Sequence, residues 1–145
     1  MASALKLWQD ARLEREARWT RLRDRLEAGI AAGLGAGRAV RNGPDDPAFR
    51  LPQTLSLGFP GLDGDALLMQ LDLAGVCVSL GSACASGSTR PSPTLVALRG
   101  PDDRLRSSVR FSLGAETTEA EVDEAVRRVV EVVRRAVDPE TNVNS

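Results

Sequence analysis

Two apolar stripes at helical spacing bracket this chain, and together they restrict what can lie between them. Near the N-terminus Leu5, Trp8, Ala11, Trp19, Leu22, Leu26 and Ile30 recur mostly at steps of three and four, and near the C-terminus Val122, Ala125, Val126, Val129, Val133 and Val137 do the same. Two intervening segments alternate instead. Leu51 to Phe59 places Leu55, Leu57 and Phe59 on one face, and SSVRFSL turns Val109, Phe111 and Leu113 inward with Ser108, Arg110 and Ser112 outward. Helices packed on a small, mainly antiparallel sheet bury these stripes most simply, so the expected class is α+β.

Local signals fill in the order. Asp63 is placed to cap a helix DALLMQLDLAG with Leu67, Leu68, Leu71 and Leu73 as core positions and Gly75 as terminator, and Thr118 with Glu121 forms a capping box for the last helix. Val76, Cys77 and Val78 read as a short buried strand. AAGLGAGRAVRNGPDDPAF reads as a loop, and Ser92-Pro93 as the start of a short helix. The layout expected is a long helix over residues 1–35, a body over 36–137 with a small-residue loop at 79–92, and a disordered tail at 138–145.

With 145 residues there is room for one domain. At 42% hydrophobic and 27% charged, with no apolar run near the roughly 20 residues a span requires, the chain is not expected in a membrane. Its 19 basic and 20 acidic residues give a net charge of -1, which offers nothing global to nucleic acid. Glu14, Glu16, Arg18, Arg21 and Arg25 read as the solvated face of the first helix. The charged start MASALKLWQDARLERE is not a signal peptide, and two cysteines fit a cytoplasmic protein with reduced thiols.

Histidine is missing altogether and Lys6 is the sole lysine. A histidine-assisted nucleophile is therefore excluded, and with six residues between Cys77 and Cys84 a zinc site is not expected. Cys84 lies among Gly, Ser and Ala, where nothing large shields a thiol; it is either a catalytic cysteine or an incidental loop residue. Cys77 reads as a small core residue. Arg110, projecting from a strand, is either a two-pronged clamp for a carboxylate or half of a surface ion pair.

The run Val78-Ser79-Leu80-Gly81-Ser82-Ala83-Cys84-Ala85-Ser86-Gly87, then Pro91-Ser92, then Val109-Arg110-Phe111-Ser112-Leu113-Gly114 and Thr117-Thr118-Glu119, resembles the C-terminal part of cysteine desulfurases of the NifS/IscS type. The likeness covers roughly residues 1 to 137. It implies the small domain of a fold type I enzyme dependent on pyridoxal phosphate (PLP), related to class-V aminotransferases, with residues 1–35 as an interdomain helix. It further implies that L-cysteine is the substrate, that L-alanine is released, that Cys84 holds the sulfur as a persulfide, and that Arg110 binds the substrate carboxylate. In such enzymes the cofactor lysine belongs to a large domain preceding this segment, so the chain is expected to be inactive by itself. It would need a PLP-binding large domain, in the full-length or a partner chain, and a sulfur acceptor serving iron-sulfur cluster or thio-cofactor synthesis. Dimerisation is a further expectation. A persulfide carrier working alone and a non-catalytic interaction module are the alternatives. The tryptophan-bearing stripe of the first helix also predicts an exposed apolar patch and self-association.

Overall fold

The computed structural model describes residues 8–9, 11–80, 96–97 and 103–138. Helix α1 (Arg12–Leu34) buries Trp19, Leu22, Leu26 and Ile30 of the expected stripe and adds Leu34, whereas Trp8 and Ala11 precede it and are exposed, and Leu5 lies outside the described residues. The segment after it, expected as loop, contains strand β1 (Val40–Arg41), which pairs with β2 (Thr54–Gly58). Two residues are too few to display an alternation, so only the pairing reveals this strand. Asp46 caps the single turn Pro47–Phe49 between them.

Helix α2 (Gly64–Leu73) starts where Asp63 accepts a hydrogen bond from the Ala66 N–H, 2.9 Å. It ends at Gly75, whose φ of +75° suits a residue without a Cβ. Leu67 and Leu71 are buried, but Leu73 is 87% exposed and is not a core residue. Two positions past Leu71 is about 200° around a helix, which turns Leu73 to the outside.

The expected strand at Val76–Val78 is also corrected. The chain there is not paired. Strand β3 is Ser79–Leu80, and Cys77 is exposed rather than in the core. The Val76 N–H still bonds back to Leu71, so the chain is leaving the helix at this point. Val76 is buried, Val78 is half-buried, and the residue between them faces the other way.

A turn at Asp103–Ser107 leads into β4 (Ser108–Ser112), and helix α3 (Glu119–Val137) follows with both hydrogen bonds of the expected capping box. The strand order is β1-β2-β4-β3, every neighbouring pair antiparallel. Leu55 opposes Phe111 and Leu57 opposes Val109. These four join Ile30, Leu67, Leu71, Val129 and Val133 in the core. Burying each such side chain contributes about 1.5–3 kcal/mol, which is what holds the helices to one face of the sheet.

The α1 and α3 backbones approach closely because α1 offers glycines. A Cβ on Gly29 would stand 2.8 Å from Val126 Cγ2, and one on Gly33 2.5 Å from Val130 Cγ2. Among the described residues the fold is therefore α+β, with α1, α2 and α3 on one face of a four-stranded sheet.

Candidate functional site

The face of the sheet that none of the described helices covers is polar because of β4. Directly paired residues in an antiparallel sheet share a face, so Arg110 lies in a cross-strand row between Ser56 of β2 and Ser79 of β3. Thr54 and Ser112 form the next row on the same face. The apolar residues alternating with these fix the register, since a one-residue slip would turn Leu55, Leu57, Val109 and Phe111 to water. Arg110 is exposed, as its sequence position predicts, and among the described residues its guanidinium has no hydrogen-bond or ion-pair partner.

Beside it, the Asn42 side-chain amide donates to Ser56 Oγ at 3.2 Å and to Ser108 Oγ at 2.9 Å. The Asn42 backbone N–H also bonds the Ser56 carbonyl, 2.9 Å. Ser108, expected to face outward, is buried here, and the result is a partly covered hydroxyl patch beside the exposed Arg110 charge. It suits a small anion carrying further polar groups. Sequence reading found Arg110 and missed Ser56 and Asn42. The alternation in TLSLG indicated which face Ser56 takes, but the strand pairing that sets it opposite Arg110 had no local signal.

On the helix side most of the arginines are engaged, Arg21 being an exposed exception. Arg18, read as solvated, donates to the carbonyls of Ala115 at 2.7 Å and Thr117 at 2.6 Å, and Trp19 Nε1 donates to the Gly114 carbonyl at 2.8 Å. These bonds fasten α1 to the loop that follows β4. Arg25 grips Asp123 with two bonds of 2.6 and 2.7 Å, and this hydrogen bonding holds the Asp123 carboxyl below its ordinary range. The buried Arg23 donates to Asp24 and to the Leu51 carbonyl. Glu27 accepts from both Arg41 and Arg50. Arg15 lies over the Trp8 ring, 3.4 Å from its centre, while Trp8 itself remains half exposed.

A cleft of about 850 Å³ opens between β4 and α3, lined by Phe111, Leu113, Thr117, Val122, Arg128 and the exposed Cys77. Arg128 crosses it, donating to Glu124 and to the Ala74 carbonyl, each at 2.7 Å. Glu121 at the rim is held below the usual carboxylate range by the Thr118 backbone N–H and then its hydroxyl.

Cys84, and all of the 79–92 loop after Leu80, lies outside the described residues, as do Lys6 and residues 139–145. No three His, Cys, Asp or Glu side chains among the described residues group closely enough for a metal ion. None of the described helices is long and apolar enough to cross a membrane.

The sequence profile of the aminotransferase class-V family matches residues 1–125. A cysteine desulfurase of Bradyrhizobium diazoefficiens is 49% identical over 114 residues, covering 79% of this chain and 28% of the relative. A cysteine desulfurase IscS of Clostridium botulinum is 35% identical over 141 residues, 96% of this chain and 35% of the relative. Among solved structures, a NifS-like protein superposes with a TM-score of 0.71 at 28% identity, covering 92% of this chain and 32% of that one. The chain thus spans about a third of the length of the relatives it matches.

Proposed function

Because this chain belongs to the aminotransferase class-V family, we propose that it supplies the substrate-carboxylate site and the sulfur-carrying cysteine of a PLP-dependent cysteine desulfurase, as its similarity to such enzymes suggests. The chain's donor set does not fit the cofactor itself. Covalent capture of PLP requires an amine, and the sequence holds one lysine, Lys6, and no histidine. The cations that the structure places around the sheet are guanidiniums, which stay protonated and form no imine. In this reading, polypeptide outside these 145 residues carries PLP, in the same chain or in a partner, and α1 is the connector toward it.

The observation that carries the reading is Arg110, an arginine held in the middle of a strand, exposed and unpartnered among the described residues. An always-charged planar fork is suited to grip the carboxylate of L-cysteine with two hydrogen bonds. Cys84 is the proposed sulfur acceptor. In the sequence it follows Leu80 by four residues, and the neighbour of Leu80, Ser79, is paired with Arg110. The Cys84 thiolate gains the sulfur as an S–S bond while the substrate C–S bond breaks, leaving L-alanine after proton uptake. The persulfide then passes to an acceptor in the cytoplasm for iron-sulfur cluster or thio-cofactor synthesis.

The test is persulfide mapping in the complete enzyme. After L-cysteine is added, differential alkylation and peptide mass spectrometry should find the extra sulfur on Cys84 and not on Cys77. Cys84→Ser should abolish sulfur delivery. Unchanged delivery by Cys84→Ser would leave the chain as an interaction module, and delivery that needs Cys84 but not Arg110 would make it a carrier.

A further inference from the structure

We infer that Ser56 is a second donor to the carboxylate bound at Arg110, with Asn42 as the residue that orients it. This rests on the desulfurase reading and deepens its substrate site. Ser56 is the direct cross-strand partner of Arg110, so both side chains leave the same face of the sheet. A serine hydroxyl has one proton to donate and lone pairs that accept. The Asn42 amide N–H occupies the accepting side of Ser56 Oγ at 3.2 Å, and the same nitrogen bonds Ser108 Oγ at 2.9 Å. That double attachment, with the Asn42 backbone bond to Ser56, fixes the amide in place.

The Ser56 proton is then free to point elsewhere, and no acceptor among the described residues takes it. Arg110 cannot take it, since a guanidinium has donors only. A ligand standing between two donors of this kind must be an acceptor, and an anionic one is favoured by the charge. A carboxylate has two oxygens and about four lone-pair directions, enough for the arginine fork and the serine together. Ser56 thereby selects for a substrate that carries a carboxylate next to its reacting centre. Ser79, on the far side of Arg110, has no comparable orienting partner among the described residues, which is why the assignment falls on Ser56.

The experiment measures KM and kcat for L-cysteine in the complete PLP-loaded enzyme containing this chain, with variants Ser56→Ala, Ser56→Thr and Arg110→Lys. Ser56→Ala is expected to raise KM about tenfold with kcat nearly unchanged, the loss of one hydrogen bond to a charged group. Ser56→Thr keeps the hydroxyl and suits a strand, so its KM should stay within about threefold of the parent. The dissociation constant of L-alanine should move with KM. If Ser56→Ala leaves KM unchanged while Arg110→Lys raises it, the Ser56 assignment is overturned and the carboxylate site stands. Should Arg110→Lys leave KM unchanged, the underlying site reading fails as well. A Ser56→Thr variant as impaired as Ser56→Ala, or a change confined to kcat, also overturns the assignment. If Ser56→Ala does not fold, Ser56→Val, which retains strand propensity, takes its place with the same expectation.

Discussion

On the helix-covered side of the sheet Arg18, Arg23, Arg25 and Arg128 each end on a carbonyl or carboxylate of the protein, whereas on the open side Arg110 ends without a partner among the described residues. The two sides use one residue type for different ends. A guanidinium already bonded to fixed groups must break those bonds before it can bind anything else, so it contributes to stability and offers little to a ligand. Arg110 has no such bonds to lose among the described residues. Its backbone lies between two paired strands, so the base of the side chain is held in place before any ligand arrives, while the guanidinium is left to close on the ligand.

A pair of truncations gives the strongest break in this comparison. Ile30, fully buried where α1 meets the core, is expected to cost about 2–5 kcal/mol when replaced by alanine, measured as the urea-unfolding free energy, with KM for L-cysteine in the assembled enzyme unchanged. Arg110→Ala should do the reverse. Its unfolding free energy should stay within about 0.5 kcal/mol of the parent, while kcat/KM falls by about a hundredfold through loss of a two-pronged charged contact. Should Arg110→Ala unfold the domain, the two sides of the sheet would not be functionally distinct.

The sequence made the helix side legible because its signals are local. Asp63, Thr118 and Glu121 cap helices within four residues of themselves, and the valines of α3 repeat at its own period. The core faces of β2 and β4 were equally readable, since alternation needs only five residues. What could not be read depends on contacts far apart in the chain. β1 exists because Val40 meets Gly58, and Ser56 becomes a site candidate only through its register with Arg110. Cys77 was misread because a short apolar run looks buried on both faces, while a single exit from α2 leaves one of its residues outward. The resemblance marked Cys84 and Arg110, but nothing local showed that Arg18, on a face patterned like a solvated one, would clasp Ala115 and Thr117.

That clasp gives the intermediate effects. Arg18→Ala removes two charge-assisted bonds to backbone carbonyls and is expected to lower stability by about 1–2 kcal/mol. Trp19→Phe keeps most of the buried surface and loses only the bond to the Gly114 carbonyl, so about 1 kcal/mol is expected. Thermal unfolding of the two variants sharpens the comparison if hydrogen exchange at residues 113–117 is followed alongside. Faster exchange there, with residues 108–112 unchanged, would show that the helix side anchors the loop while the neighbouring strands alone hold Arg110.

Acid should separate the two sides most gently. On α3, Glu124 is pulled down to about 2 from an ordinary 4.5, chiefly by its hydrogen bonds from Arg127 and then from Arg128. A depressed carboxyl binds fewer protons in the folded state than in the unfolded one. Its stabilising contribution is therefore complete above about pH 4.5 and disappears as the pH falls toward about 2. Asp123 and Glu121 shift in the same direction through Arg25 and Thr118. All three are at the surface, so salt should screen much of the effect. Urea midpoints followed from about pH 6 down to about pH 2.5, across most of the window between the two Glu124 values, should fall less steeply in Glu124→Gln than in the parent. Arg110→Gln should reproduce the parental slope, because among the described residues no carboxylate is paired with Arg110 in the folded chain. A flatter slope for Arg110→Gln would mean that a carboxylate of the protein already occupies the place assigned to the substrate, and the open face would then be a structural ion pair like those on the helix side.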